Sequence, residues 1–444
     1  MFEYGFAQED ITPDYGMPLC GYFNPRPNRG ALDRLAVKAV VFRCGDECSA
    51  IVSYDLCMLD GQLVTRMIKA LAGAEIAFCG KVLFAATHTH TGPYTCKCFS
   101  DFTNDDYLDE LVSKTVSAVR HATASLAPAE LLATRTECST LAFNRRFLMK
   151  DGTILTNPGK LNKDIIRPEG GIDPEIPLMA IRQHGTLRLL ITNIVNHTDT
   201  VGGDMVSADW PSRMETKIQQ QLGFGIPVMT LIGSQGNINH FNVKTVANQT
   251  GYDEAIRIGN GYAATILSSL YQLKPMKFDQ IQTDTCELEA PYMSVTDAEY
   301  EHARLIAEKY KDAKMENGRD FTSEDIAKGH PFVKKFFAER LMDCRDKKIS
   351  EKRVEKMLSI KFGNEIGIIS LPCEPFSEMG LTIKKASRFP LTLVVALGMG
   401  EVGYVGLPNN YGNGGYETSP STMAASRKWG TELVQVATDL LNRF

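Results

Sequence analysis

The chain has 444 residues, 43% of them hydrophobic and 23% charged, which is enough for a large core in about one to three domains. Its net charge of -5, without a basic stripe or an aromatic-interleaved Lys/Arg cluster, argues against nucleic acid as a partner. No apolar stretch approaches the ~20 residues of a membrane-spanning helix, and the N-terminus carries no basic segment followed by a hydrophobic core, so we expect a cytoplasmic protein without a transmembrane segment.

Strand-like and helix-like segments alternate along the chain. The strand-like runs 36–42 and 50–54 precede a helix-like run at 62–71, and the apolar run 81–86 precedes another at 107–124. The same order recurs until the last helix-like segment near the C-terminus. Alternation of this kind predicts an α/β fold with a mixed central sheet and flanking helices.

The region from about 296 to 356 interrupts this alternation. Its sequence is charged and favours helix, so we interpret it as a helical insertion over the sheet, with a solvated charged face. We find no domain boundary elsewhere and expect residues 1–444 to form a single domain. The eleven cysteines are odd in number and scattered, which fits reduced thiols in a cytosol better than a disulfide framework.

Two histidines directly follow the apolar run 81–86. His88 and His90 are separated by one residue within Thr-His-Thr-His-Thr-Gly-Pro, and in extended backbone residues at this spacing face the same side. Imidazole is the commonest protein ligand for metals, and ligands bind at the carboxyl ends of strands in open α/β sheets. The pair is therefore a candidate metal site, although two neighbouring structural histidines are an equal alternative on this motif alone.

Three further apolar runs end in side chains suited to a metal. The run 189–196 leads to His197, the run 366–373 leads to Glu374, and the run 391–398 leads through a glycine-rich turn to Tyr404. If these runs are strands that end at the same edge of a sheet, the side chains that follow them meet there. Two histidines and a carboxylate are typical of a catalytic zinc site, in which about three protein ligands leave a position for water.

These stretches together resemble the catalytic domain of the neutral/alkaline ceramidase superfamily. The matching motifs run from end to end of the chain, and their order and separation are specific although no single tetrapeptide is. They are Asp10-Ile11-Thr12-Pro13, the His-Thr-His-Thr-Gly-Pro motif, Asn144-Arg145, Asn196-His197, Gly236-Asn237, Leu371-Pro372-Cys373-Glu374-Pro375-Phe376, and Gly403-Tyr404 with Gly415-Tyr416-Glu417.

The resemblance implies roles for individual side chains. It implies that zinc is held by four residues, and that three more surround the substrate. The implied zinc ligands are His88, His197, Glu374 and Tyr404, and the implied catalytic residues are His90, Arg145 and Tyr416. Arg146 is adjacent to Arg145, so the sequence leaves open which arginine faces the site.

Two departures from the family bear on the substrate. Ceramidases proper place a required serine just after a Gly-Asn or Gly-Asp pair, whereas here Asn239 stands after Gly236-Asn237-Ile238. We expect Asn237 and Asn239 to contact a substrate that need not be ceramide. The family also carries a C-terminal immunoglobulin-like domain, for which the chain leaves no room after its last helix-like segment.

The chemistry expected from these residues is hydrolysis. Zinc lowers the pKa of a bound water from 15.7 to roughly 7 and polarises a carbonyl. His90 is placed to pass a proton to the leaving amine, while Arg145 and Tyr416 offer donors to an oxyanion. His90 as a further ligand or a supporting residue is the alternative. Asp55 and Asp209 are candidates to orient a ligating imidazole, or are helix caps.

We therefore expect a zinc-dependent amidohydrolase acting on a carbon–nitrogen bond of a small-molecule or lipid-like substrate. A zinc hydrolase for an ester, lactone or carbohydrate-derived substrate is one alternative, and a non-catalytic metal-binding homologue is another. A structural zinc site made by His88, His90, Cys96 and Cys98 is a further possibility, although the Cys-Lys-Cys spacing is shorter than usual. The sequence does not indicate an oligomeric state.

Overall fold

The computed structural model of the chain describes residues 1–97, 102, 104–315, 321, 329–350, 353–419, 422 and 425–443. Within them the α-helices are α1 Gly61–Gly73, α2 Asp105–Ala124, α3 Asp209–Leu222, α4 Tyr252–Leu267, α5 Asp297–Lys309, α6 Pro331–Ser350, α7 Ser377–Ala386 and α8 Trp429–Asn442. The strands are β1 Phe2–Asp10, β2 Pro18–Leu19, β3 Arg26–Pro27, β4 Ala36–Cys44, β5 Glu47–Tyr54, β6 Val82–Ala86, β7 Ala127–Pro128, β8 Glu130–Glu137, β9 Phe143–Asn144, β10 Arg146–Met149, β11 Ile154–Thr156, β12 Ile165–Pro168, β13 Glu175–Gln183, β14 Thr186–Ile194, β15 Val228–Ile232, β16 Ile238–Asn239, β17 Lys274–Pro275, β18 Ile281–Glu289, β19 Val354–Phe362, β20 Ile366–Ser370, β21 Glu374–Pro375, β22 Leu391–Val395 and β23 Tyr404–Val405.

Three larger mixed sheets carry the architecture. Their strand orders are β6-β5-β4-β1-β7, β15-β14-β13-β8-β17 and β18-β19-β20-β22. Each combines antiparallel neighbours with one parallel pair, namely β5–β6, β14–β15 and β20–β22. The predicted α/β class with mixed strand pairing is confirmed, with the strands divided among several sheets instead of one.

A helical crossover explains each parallel pair. Parallel neighbours need a connection of a dozen or more residues, usually through a helix. Here α1 lies between β5 and β6, α3 lies between β14 and β15, and α7 lies between β20 and β22. The chain thus repeats one strand-helix-strand unit three times, and each unit ends in a short strand whose side chains are all buried.

Buried hydrogen bonds join the ends of the three parallel pairs. The side-chain amide of Asn193 donates to the carbonyl oxygens of Leu231 and Val394 at 3.0 and 3.1 Å. The backbone N–H of Met399 donates to the carbonyl of Phe84 at 2.9 Å. These contacts bring the segments that follow β6, β14 and β20 to one place.

Helix α3 packs against the second sheet and is hydrogen-bonded to the segment that follows β14. Its apolar side chains Trp210, Met214 and Ile218 recur at a spacing of four residues and are buried together against the second sheet. The indole N–H of Trp210 donates to the carbonyl of His197 at 2.8 Å. Packing of this helix therefore also positions one of the predicted ligands.

The charged region 296–356 contains two described helices. Helix α5 begins with a capping box, in which Thr296 and Glu299 bond each other's backbone N–H. Helix α6 follows, and the two pack against each other. Residues 316–320, 322–328 and 351–352 lie outside the described residues, and the insertion into a single 1–444 domain stays a prediction. In the described part of the chain no helix has the length and apolar character to cross a membrane.

Glu355 in β19 makes stability depend on pH. Its side chain is 6% exposed, its Oε2 accepts no hydrogen bond, and burial raises its pKa from 4.5 to about 7. The folded state therefore holds this proton more tightly than the unfolded state. The stabilisation that this proton gives to the folded state is fully present below pH 4.5 and is lost as the pH rises through 7. The free energy of unfolding falls by roughly 3 kcal/mol over this range.

We expect Glu355→Gln to be more stable than the wild type at pH 8 and to differ little from it at pH 4.5. Denaturant unfolding of both proteins at the two pH values measures this. The comparison matters because burial also raises the pKa of Asp55 and of Asp209 to about 6, so the wild-type profile alone reports several groups. An equal gap between variant and wild type at both pH values would contradict the prediction.

Candidate metal centre and its cavity

His88 lies just past β6 in a constrained turn. Its φ of 68° is in the left-handed region, which a non-glycine residue occupies only when its surroundings hold it there. Its backbone N–H donates to Leu56, and its Nδ1 lies 2.7 Å from the carbonyl oxygen of Cys57. That contact makes Nδ1 the protonated nitrogen and leaves the lone pair on Nε2.

His197 is oriented in the same way. It follows β14, and its Nδ1 lies 2.9 Å from the carbonyl oxygen of Ile238 and 3.1 Å from that of Gln235. Nε2 is again the nitrogen with a lone pair. The hydroxyl of Thr198 donates to the carbonyl of Thr87 at 2.6 Å, so the two histidine-bearing segments are bonded to each other.

Glu374 and Tyr404 are paired directly in register. They face each other in the short parallel ladder of β21 and β23, and the Glu374 N–H donates to the carbonyl of Gly403 at 3.0 Å. Gly236 packs so closely here that a Cβ would lie 2.4 Å from the carbonyl oxygen of Glu374. Glycine is thus required at 236. The ring of Tyr404 is stacked with that of His197 at 6.5 Å between centroids.

Three ligand-type atoms converge. The Nε2 atoms of His88 and His197 are 3.3 Å apart, and the Oε2 of Glu374 lies 3.1 Å from the first and 3.3 Å from the second. All three residues are buried, and Glu374 Oε2 accepts no hydrogen bond. Tetrahedral ligands about 2.0–2.1 Å from a metal are about 3.3 Å apart. The donor atoms present therefore suit a metal ion.

The charges within the cluster are coupled. Burial disfavours the charged form of His88, yet the Glu374 carboxylate raises the pKa of this imidazole well above its usual value, so a metal would have to displace a proton from it. Burial on its own disfavours the Glu374 carboxylate, yet the two imidazoles lower its pKa well below the usual value. Burial and the nearby Arg145 lower the pKa of His197 to about 3, so this imidazole is neutral. A carboxylate and neutral imidazoles are the forms that bind metals.

His90 lies beside this cluster but outside it. Its Nε2 is 3.3 Å from Nε2 of His88, and His90 forms a second group of metal-type atoms with Cys57 and His88, separate from the group of His88, His197 and Glu374. Its Nδ1 lies 3.4 Å from the Asp199 carboxylate, which in turn accepts a 2.6 Å hydrogen bond from the Tyr22 hydroxyl. Asp199 and Tyr22 thus face His90 from the side opposite the cluster.

The two adjacent arginines have different surroundings. Arg145 lines the cavity, places Nη1 3.5 Å from Nε2 of His197, and pairs through Nε with Glu417 at 2.7 Å. Arg146 is fully buried between the carboxylates of Glu169 and Glu417. Arg145 is therefore the arginine that faces the site, and Arg146 holds the loops behind it.

A cavity of about 570 Å³ opens at the cluster. This volume is within the usual range of about 300–1,000 Å³ for small-molecule sites. Tyr416 lines it, with its ring 5.8 Å from that of Tyr404, and helix α6 contributes a further wall. The Phe and Tyr residues of the cavity wall are Tyr22, Phe23, Tyr292, Phe321, Phe336, Phe337, Tyr404 and Tyr416.

The two predicted asparagines do not line this cavity. Asn237 donates to Glu378 at 2.9 Å and accepts from the Ser377 N–H at 2.8 Å. Asn239 donates to Asn157, which is itself a cavity residue, at 3.1 Å. In the structure both asparagines support the wall, and their direct contact with a substrate stays a prediction.

The structure also bears on the roles that the sequence suggested for Asp55, Asp209, Cys96 and Cys98. Neither Asp55 nor Asp209 orients an imidazole: Asp55 accepts from the Ala36 N–H, and Asp209, the first residue of α3, accepts from the backbone at Thr200 and Val201. Both ligating rings bond to carbonyl oxygens instead. Cys96 is buried and does not join the described metal-type groups, and Cys98 lies outside the described residues.

Sequence reasoning missed three residues at the site. They are Cys57, whose Sγ lies 3.9 Å from His88 Nδ1, Asp199 and Glu417. The spacing that singled out His88 and His90 also relates Asp199 to His197, so the same pattern would have found it. Cys57 gives no comparable signal, because it reaches the site only through the fold.

Solved ceramidase structures align with nearly the whole chain. A crystal structure of neutral ceramidase from Pseudomonas aeruginosa aligns at a TM-score of 0.72 and 18% identity, covering 99% of this chain and 74% of that one. The chain has the neutral ceramidase fold. A ceramidase complexed with C2 aligns at a TM-score of 0.72 and 16% identity, over the same shares. No family model matches the sequence, and no curated protein matches it.

The resemblance to neutral ceramidases that the motifs indicated is thus confirmed at the level of the fold. The motifs that carried it are gathered within this neutral ceramidase fold. His88 follows the second strand of its strand-helix-strand unit, whereas His197 and Glu374 follow the first strand of theirs, and the three side chains meet. Tyr404 and Tyr416 lie in the cavity wall.

Proposed function

We propose that this protein is a zinc-dependent hydrolase of the neutral ceramidase superfamily, which cleaves a carbon–nitrogen amide bond. The observation that supports this best is the convergence of His88 Nε2, His197 Nε2 and Glu374 Oε2 within 3.1–3.3 Å at the base of a cavity. Three ligands of this kind are typical of catalytic zinc sites. The choice of zinc follows from two imidazoles and a carboxylate, which suit a borderline metal better than magnesium or calcium.

The protein's own residues have separable tasks in this proposal. His88, His197 and Glu374 hold the metal, with Tyr404 as the fourth ligand implied by the family. Zinc at this position supplies a Lewis acid that activates water and polarises the substrate carbonyl.

His90 transfers a proton from the attacking water to the leaving nitrogen. Its Nε2 faces the cluster and its Nδ1 faces Asp199, so a proton taken at Nε2 is stabilised by the carboxylate behind the ring. His90 then gives this proton to the leaving nitrogen, which departs as an amine. The hydrogen bond from Tyr22 keeps Asp199 in position.

Arg145 and Tyr416 act on the carbonyl oxygen. The Arg145 guanidinium is fixed by Glu417 and by the carbonyl of Gly236, which leaves Nη1 directed at the cluster. A donor held in advance stabilises an oxyanion without reorganisation. Tyr416, which also lines the cavity, offers a second donor.

The substrate is expected to be a small, water-soluble amide rather than long-chain ceramide. The cavity wall combines aromatic rings with the cationic side chains of Arg340, Lys347 and Arg353. Asn239 stands where ceramidases proper have a serine. A pocket adapted to one polar group discriminates strongly against substrates that lack it.

A kinetic panel tests this. Long-chain ceramide in detergent, small soluble amides and the matching esters are compared by kcat/KM on the same preparation, with and without a chelator. We expect soluble amides to be the best substrates and the chelator to abolish turnover. Ceramide as the best substrate would overturn the substrate proposal, and chelator-resistant turnover would overturn the zinc proposal.

A further inference from the structure

Arg353 is a cationic residue of the cavity wall. It lines the cavity just before β19, where the N–H of Ala290 fixes its carbonyl at 2.8 Å. Its guanidinium carbon lies 4.7 Å from the centre of the Tyr292 ring. Tyr292 lines the same cavity, so this pair forms one surface of the space that opens onto the His–Glu cluster.

Two of its nitrogens are buried without an acceptor. Neither Nε nor Nη2 makes a hydrogen bond to any residue that the structure describes. These two atoms form one edge of the guanidinium, the edge that binds the two oxygens of a carboxylate side by side. Buried donors of this kind are costly unless a partner is supplied.

The neighbouring carboxylate does not serve as that partner. Glu355 Oε1 lies 3.7 Å from Arg353 Nε, which is too long for a hydrogen bond. Burial raises the pKa of Glu355 to about 7 even with the arginine beside it. Near neutral pH a fraction of Glu355 is therefore uncharged, so this carboxylate only partly compensates the positive charge of the arginine.

The other cations of the cavity differ from Arg353, since Lys97 is exposed to solvent and Arg145 pairs with Glu417. Lys347 pairs with Asp343 at 2.9 Å, and Arg340 lies over the Phe336 ring at 5.3 Å. The rings of Phe23 and Phe337 line the same cavity and add apolar surface to it, and the Phe337 ring lies 6.1 Å from that of Tyr416.

We propose that Arg353 anchors a carboxylate of the substrate, so that the compound hydrolysed is a small N-acyl compound with an apolar part and a carboxylate. This inference rests on the proposed amidase function and specifies its substrate class. The edge formed by Nε and Nη2 of Arg353 is shaped to bind the two oxygens of a carboxylate. A dianionic phosphate is less suitable, because Glu355 and Glu401 stand close to the same end.

The test uses substrate pairs that differ only in this charge. N-benzoylglycine is compared with N-benzoylglycinamide, and glutaryl anilide with its carboxamide, so that the carboxylate is placed on either side of the scissile bond. We expect the wild type to prefer the carboxylate member of at least one pair by about tenfold to a hundredfold in kcat/KM, mainly through KM.

Variants assign this preference to Arg353. Arg353→Gln is expected to reduce the ratio within the pair to near one, and Arg353→Lys, which keeps the charge without the fork, to give an intermediate ratio. Arg304→Gln is the matched control, since Arg304 is exposed on α5 and pairs with Glu301 outside the cavity. If Arg353→Gln does not fold, Arg353→Lys decides the question alone. A ratio in the Arg353 variants equal to that of Arg304→Gln would overturn the proposal.

A binding measurement separates this inference from the proposed function. If neither pair is hydrolysed, the amidase proposal fails for these substrates, and calorimetric binding of N-benzoylglycine then tests the anchor. We expect the Kd to rise about tenfold or more in Arg353→Gln relative to wild type and Arg304→Gln. An unchanged Kd would overturn the anchor. If both members of a pair are hydrolysed equally by the wild type, the amidase proposal stands and the anchor fails.

Discussion

Replacing His88, His197 or Glu374 with alanine is expected to remove the bound metal and the hydrolytic activity together. Each change deletes one of three buried donors that lie within 3.1–3.3 Å of each other. Two ligands hold zinc much less firmly than three or four. Metal analysis and turnover of each purified variant measure the effect.

The control for this series is His302→Ala. His302 is exposed on α5, so its loss tests whether removing any histidine disturbs the preparation. It is expected to keep wild-type metal content and turnover. A ligand variant that retains both metal and turnover would show that its residue is not a ligand.

Replacing His90 with alanine or Tyr416 with phenylalanine is expected to retain the metal while turnover falls by about 10² or more. His90 stands beside the cluster and against Asp199, and Tyr416 lines the cavity. Loss of a general acid–base group or of an oxyanion donor usually costs about this much. The exposed His121 provides the matched control, His121→Ala.

The metal content decides between two roles for His90. If His90→Ala loses metal as readily as His88→Ala, then His90 is a ligand, and proton transfer falls to another group. A turnover loss of less than a few-fold with full metal content would contradict the catalytic role.

Much of the fold follows from apolar patterning. The predicted helix 62–71 corresponds to α1, Gly61–Gly73, and the predicted strand 36–42 to β4, Ala36–Cys44. Runs in which every residue is buried, such as β6, are identified easily because their sequence is continuously apolar. Strand β1 was missed, because only two of its residues, the adjacent Tyr4 and Gly5, are buried, and because it includes three acidic side chains.

The convergence of His88, His197 and Glu374 could be predicted because each lies within a few residues of the end of a buried strand. The division into three sheets could not, since the sequence does not state which strands pair. The sequence also could not show which of Arg145 and Arg146 faces the cavity. Adjacent residues in extended backbone point to opposite sides, and only the fold decides which side is the cavity. Cys57 and Arg353 reach the cavity from segments distant in sequence from the ligands.

Elemental analysis of protein purified without added metal tests the central claim most directly. The claim is that His88, His197 and Glu374 hold one catalytic zinc ion. We expect about one zinc per chain in the wild type, and loss of both the zinc and the turnover in Glu374→Ala. A preparation with no transition metal and no activity gained on adding zinc would contradict it.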